Sequence, residues 1–216
     1  QELEILKQLC LKYNLFLFAD EAYREFCYEG QAPGSALSLE GMDQHVILMD
    51  TISKRYSACG GRIGALVTRN KEVYDTAMKF AQARLSPPTF AQIAAEAAID
   101  LPDNYFDEVK AEYHRRRDVL VGRLNKMPGV ICPNPGGAFY AMAQLPVQDA
   151  DDFCRWLLES FSYEGQTVMM APASGFYATP CLGKKQVRFA YVLNTDEINR
   201  AMDCLEVALQ QYPGHD

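Results

Sequence analysis

Apolar residues along this chain follow two rhythms, and the order in which the rhythms alternate predicts a layered fold. Leu3, Leu6, Leu9 and Cys10 recur at helical spacing and predict a helix over 1–13. Asn14 leads into Leu15-Phe-Leu-Phe-Ala19, a short continuous apolar run typical of a parallel strand buried on both faces. That run stops at Asp20-Glu21-Ala22-Tyr23. A Gly/Pro/Ser-rich loop over 30–38 separates it from Val46-Ile-Leu-Met49, a second buried strand ending at Asp50. Residues 63–68 read as a third strand. Helices over 71–83 and 88–101 follow, split by Ser86-Pro87-Pro88, and a long helix over 103–126 is stopped by Met127-Pro-Gly129.

Beyond Gly129 the pattern changes. Residues 130–132, 138–144, 167–170 and 187–192 read as strands, with helices over 149–162 and 195–211. Asn194 with Glu197 resembles a helix-capping pair, and Ile198, Met202, Leu205 and Leu209 form the apolar stripe behind it. Helix alternating with buried strand indicates an α/β sheet. The change of pattern predicts a larger domain over 1–127, including the long helix, and a smaller α+β domain over 128–216. In open α/β sheets ligands sit at the carboxyl ends of strands, where both Asp20 and Lys54 fall.

Composition narrows the function classes. With 21 basic and 28 acidic residues the net charge is -7, which argues against a nucleic-acid surface. The one dense basic run, His114-Arg115-Arg116-Arg117, is flanked by Glu112 and Asp118 and reads as a solvated or partner-facing helix edge. Seven scattered cysteines, never spaced C-x-x-C, read as reduced thiols used as small apolar residues and point to the cytoplasm. His45, His114 and His215 share no metal-ligand spacing, so no metal site is expected. No apolar run approaches the roughly 20 residues of a membrane span.

The candidate chemistry gathers in Asp50-Thr-Ile-Ser-Lys-Arg-Tyr-Ser-Ala-Cys-Gly-Gly-Arg-Ile-Gly64. Lys54 is a nucleophile once deprotonated, and burial among small residues favours that state. Arg62 offers a planar fork of donors suited to phosphate. The glycines do not keep the G-x-G-x-x-G register of a dinucleotide loop, because position 58 is Ala, and no Gly-Lys-Ser/Thr of a P-loop occurs. Each residue also has a plainer reading: Lys54 as a surface lysine, Asp20 as a helix N-cap, Arg188 as half of a structural ion pair.

Together these segments resemble fold type I pyridoxal-phosphate enzymes, the class I/II aminotransferases related to aspartate aminotransferase. Ser53-Lys54 followed by Gly60-Gly61-Arg62-Ile63-Gly64 is similar to the family's cofactor-lysine segment, and Asp20-x-x-Tyr23 to its D-x-x-Y. Gln186-Val-Arg-Phe-Ala-Tyr191 is similar to its late arginine strand, with Val187, Phe189 and Tyr191 on one face and Arg188 on the other. Asn134-Pro-Gly-Gly-Ala-Phe-Tyr140 resembles a turn-and-strand of the family's small domain.

The resemblance implies a PLP-dependent transferase-like fold, here the C-terminal part of the large-domain α/β sheet plus the smaller C-terminal domain. It implies that Lys54 holds pyridoxal 5'-phosphate covalently. Asp20, as a buried carboxylate, would keep the pyridine nitrogen protonated, and Tyr23 would bond the ring oxygen. Thr51 and Arg62 would bind the phosphate, and Arg188 the substrate carboxylate. The implied activity is aminotransfer between an amino acid and a 2-oxo acid, aspartate-type, in a homodimer. A C–S β-elimination lyase, the effector domain of a transcription regulator and a plain α/β scaffold stay open as alternatives. The family's remaining cofactor contacts lie upstream of the D-x-x-Y strand. A start at Gln1 inside a helix therefore implies a piece of a longer protein, one expected to bind cofactor weakly alone.

Overall fold

A computed structural model describes residues 2–30, 34–102 and 104–214. Gln1, His215, part of the 30–38 loop and the expected helix start at 103 lie outside the described residues. The chain divides into two compact units, Gln1–Phe106 and Asp107–Asp216.

In the first unit, α1 (Glu2–Tyr13) ends where Asn14 turns left-handed at φ 51°, a conformation Asn tolerates better than most residues. β1 (Leu17–Asp20) then pairs in parallel with β2 (Val46–Thr51), with Asp20 opposite Met49. β3 (Gly64–Val67) returns antiparallel to β2, with Thr51 opposite Gly64. Residues 52–63, one short helical turn and a 3₁₀ turn, return the chain directly beside β2 rather than crossing over the sheet. Only β2 is deeply covered: Val46, Ile47 and Leu48 are buried. Cys10, Ala36 and Met42 pack with Val46 as the local core.

The expectation that the first strand is buried on both faces is corrected here. β1 alternates between half-buried and exposed, with Phe18 61% exposed, and all of β3 is exposed. Both strands are edges among the described residues. The sheet face bearing Phe16, Phe18 and Leu66 opens into a groove of about 530 Å³ against α3 (Lys71–Arg84). α3 is capped by Asn70, whose side chain accepts from Val73 N–H at 3.1 Å. The proline pair then separates it from α4 (Thr89–Ala97).

The second unit holds most of α5 (Tyr105–Leu124), so the division falls at 106/107, ahead of the expected 127/128. The physical reason is burial: Leu120, Val121 and Leu124 of α5 pack into that unit's core. Arg117 lies there too, only 2% exposed, donating to Asp118 and to the Pro135 carbonyl. The basic run is therefore a solvated edge at Arg115 but not at Arg117.

The unit's sheet runs β4 (Tyr140–Gln144), β6 (Gln186–Ala190), β5 (Ala171–Pro172), all antiparallel. α6 (Ala150–Glu159) is capped by Asp149 and α7 (Thr195–Gln211) by Asn194. The expected α7 stripe of Ile198, Met202, Leu205 and Leu209 is buried.

Two expected strands in this unit do not form. At 130–132 a single rung joins Ile131 to Gln144, and the next ladder position falls on Pro133, which has no N–H to donate; Cys132 between them is held by the Asn125 amide at 2.8 Å. Over 167–170 Val168 and Met170 are buried and Met169 exposed, but the ladder begins only at Ala171. Gly129, at φ 77°, lets the chain turn against Pro146, whose Cβ would stand 2.8 Å from an added side-chain carbon.

Candidate active site

The site grows from the register of the first sheet. Because β1 and β2 are parallel and in step, their carboxyl ends finish together, and the Glu21 N–H bonds the Met49 carbonyl at 2.9 Å. Thr51 ends β2 and caps α2 (Ile52–Arg55), the single helical turn that carries Lys54. Its hydroxyl accepts from Ser53 N–H at 3.1 Å and lies 2.8 Å from the Ile63 carbonyl. A carbonyl only accepts, so the one Thr51 hydroxyl proton goes to Ile63, and the Ser53 hydroxyl, 2.9 Å away, donates to Thr51. Ile52 N–H also reaches the Ile63 carbonyl, at 3.3 Å. The lysine turn is thereby closed at its base onto the residue preceding Gly64.

Arg62 stands at the other end of this closed segment. A 3₁₀ turn over Cys59–Gly61 throws it into the left-handed region at φ 56°, uncommon for a residue with a side chain. Its Nη1 donates to the Cys59 carbonyl at 2.9 Å, and the rest of the exposed guanidinium faces outward. Gly64 lets β3 approach β2 closely, since a Cβ there would sit 3.0 Å from the Asp50 carbonyl. Lys54 is half-buried.

The structure thus brings Lys54, Thr51 and Arg62 to one strand end, with Asp20 and Tyr23 on the neighbouring one. Asp20 departs from expectation. It is exposed rather than buried, and its carboxylate accepts from Ala22 N–H at 3.1 Å within a tight turn, not at a helix N-terminus. As the last residue of an edge strand, it has no second neighbouring strand to cover it among the described residues. Tyr23 is half-buried near Phe26.

Arg188 belongs to the second unit. It lies on β6 opposite Met142, half-buried, while its neighbours Val187, Phe189 and Tyr191 point into the core. Its guanidinium carbon sits 4.5 Å from the Tyr140 ring centre and 4.8 Å from that of Phe176. Cation–π contacts of this kind do not use up the guanidinium's N–H donors. Among the described residues no carboxylate lies within ion-pair distance of it, so the structural ion-pair reading fails.

Sequence reasoning missed a charged cluster around Lys54. Asp50 Oδ2 lies 2.7 Å from Arg55 Nη2 and 3.5 Å from Arg24 Nη2. Arg24 Nη1 bonds Glu21 at 2.8 Å, and Arg55 Nε is 3.4 Å from Glu25, out of line for a hydrogen bond. Burial alone would lower the Arg24 pKa, yet the Glu21 hydrogen bond and the Asp50 and Glu25 charges raise it on balance. The signal was available: five charged residues directly follow two apolar strands.

Comparison with known proteins settles the family. The model of the family described as aminotransferase class I and II matches residues 1–205. The chain belongs to that family. It is 28% identical to the aspartate aminotransferase of Pyrococcus horikoshii over 92% of this chain and 49% of that protein. It is 29% identical to aromatic-amino-acid aminotransferase 2 of Thermococcus litoralis, over 98% and 53%. The aspartate aminotransferase structure from Thermotoga maritima superposes with a TM-score of 0.81 at 27% identity, covering 97% of this chain and 52% of that one. An aromatic aminotransferase structure from Pyrococcus horikoshii gives 0.80 at 26%, covering 97% and 54%. This family member spans about half the length of the curated relatives it matches.

The donor set suits the cofactor implied by the resemblance. An amine, an outward guanidinium and a carboxylate on adjacent strand ends are the groups a phosphate-bearing pyridine aldehyde needs. Thr51 fits less directly, because binding a phosphate would mean releasing its proton from Ile63.

Proposed function

We propose that the complete protein is an aminotransferase that moves an amino group between an amino acid and a 2-oxo acid, aspartate-type, using pyridoxal 5'-phosphate held on Lys54. The observation that carries this reading is the closed 52–63 segment, which holds Lys54 and Arg62 together at the end of β2 in a chain of this family. Bound there, the cofactor supplies an electron-withdrawing ring that stabilises negative charge on the substrate α-carbon.

The chain's own residues supply the rest. The Lys54 Nζ would hold the cofactor covalently and, once freed by the substrate amine, would take the proton from the substrate α-carbon and deliver it to the cofactor carbon that it had held. Arg62 meets the phosphate with the donors that Cys59 leaves unused. Asp20 would pair with the ring nitrogen and Tyr23 with the ring oxygen. Arg188, held between two rings, offers a bidentate edge to the substrate carboxylate. The complete protein acts as a homodimer in the cytoplasm. Support for that compartment comes from the cysteines, all seven of which are free.

The test uses the full-length protein with pyridoxal phosphate. An amino donor should leave the cofactor as pyridoxamine phosphate and yield the matching 2-oxo acid, and Lys54→Ala should abolish both. Release of pyruvate and ammonia from a β-substituted donor, with no pyridoxamine phosphate, would instead mean elimination.

A further inference from the structure

The charged cluster beside Lys54 does more than hold two turns together. We propose that Asp50, Arg24 and Arg55 form a positioning brace that sets the spacing between the turn over 20–23 and the lysine turn; the proposal rests on the reading of Lys54 as the cofactor lysine. Arg24 directly follows Tyr23 in the chain, and Arg55 directly follows Lys54. Both guanidinium groups meet on one atom, Asp50 Oδ2, at 3.5 and 2.7 Å.

The other carboxylate oxygen, Asp50 Oδ1, accepts from Thr51 N–H at 2.7 Å, so the carboxylate cannot swing away. Thr51 in turn caps the helix that carries Lys54. On the opposite side Arg24 bonds Glu21 at 2.8 Å. Glu21 accepts from the Ser35 hydroxyl at 3.0 Å and from Ala36 N–H at 2.8 Å, and Ala36 belongs to the hydrophobic core. Glu25 completes the set, 3.5 Å from Arg24 Nε and 3.4 Å from Arg55 Nε. The brace therefore runs from the core, through the turn that carries Tyr23, to the turn that carries Lys54.

Energetics favour a geometric role over a stabilising one. The side chains are only 9–25% exposed, so bringing five charges together costs desolvation that their attraction roughly offsets. Arg55 Nε is buried without an aligned partner, a further cost. What the cluster provides is one arrangement: two planar forks locked on shared carboxylates, at positions next to the phenol and the amine.

The experiment uses the full-length protein carrying pyridoxal phosphate, with variants Asp50→Asn, Arg55→Met, Arg24→Met and Arg55→Lys. Borohydride reduction followed by peptide mass analysis locates the cofactor, and a pH titration of its visible absorbance reports the surroundings of the linkage. The adduct should stay on Lys54 in every variant, while the titration midpoint moves by about half a pH unit or more in the first three. Arg55→Lys, which keeps the charge but not the fork, should recover about half of that shift. Wild-type midpoints with only a lowered melting temperature would overturn the brace and leave the Lys54 reading standing. A wild-type protein with no adduct on Lys54 would remove that reading and the brace with it. Should Asp50→Asn fail to fold, Arg24→Met, on a turn rather than a strand, decides between the same outcomes.

Discussion

The sheet β4–β6–β5 and the sheet β1–β2–β3 differ in how far hydrophobic burial holds them. In the second unit Val187, Phe153, Leu205 and Ala208 are fully buried, and two capped helices belong to the same compact body. In the first unit one strand is buried, while Phe18 and Phe80 are 61% and 72% exposed. The region that carries Lys54 is shaped by hydrogen bonds and charge instead: the Thr51 cap, the Ile63 carbonyl and the Asp50 cluster. Packing secures the Arg188 strand, whereas polar geometry secures the lysine turn. Substitutions should therefore act on the two through different physics.

The largest effect is expected in the second unit's core. Phe153 is fully buried among Trp156 and Tyr212, and Phe153→Ala should cost about 3–5 kcal/mol in urea unfolding. Phe18→Ala, on the open sheet face, should change stability by less than about 0.5 kcal/mol in the same chain. Equal losses at the two sites would break the comparison.

Alkaline pH sharpens it further. Burial pushes the Cys132 and Cys154 thiols up to about 11 from 9.0, and a nearby Asp151 adds to the shift at Cys154. A raised folded pKa means that this stabilisation is whole below pH 9.0 and is lost as pH climbs towards about 11. The loss should be on the order of 2 kcal/mol per thiol. Circular dichroism of a Cys132→Ala, Cys154→Ala variant should show a flatter decline across that window. Gly129→Ala, with its contact to Pro146, should cost about 1–3 kcal/mol by the same denaturation assay.

Thr51→Val should cost about 1 kcal/mol from the lost cap. Unlike the core variants, it should also loosen the lysine turn, seen as faster amide exchange at Ser53 and Ile52, whereas Thr51→Ser should not.

These differences match what could be read in the chain itself. The α7 stripe and its Asn194 cap were legible because helical periodicity and capping are local. Lys54, Arg62 and Arg188 could be singled out as candidates because each sits in a short pattern of glycines or strand residues that is local too. The exposure of Asp20 was not, because an apolar run does not reveal how many strands flank it. Nor was the missing strand at 130–132, where the register puts Pro133 at the next ladder position. The burial of Arg117 depends on a carbonyl at Pro135, and the Asp50 cluster on strand register. Both are tertiary facts that no window of sequence carries.

The most direct test of the account is the site at which pyridoxal phosphate attaches. In the full-length protein, borohydride reduction and peptide mapping should place a single cofactor on the peptide containing Lys54, and Lys54→Ala should lose both the adduct and the visible absorbance. A stable adduct on another lysine, or one that survives Lys54→Ala unchanged, would contradict it.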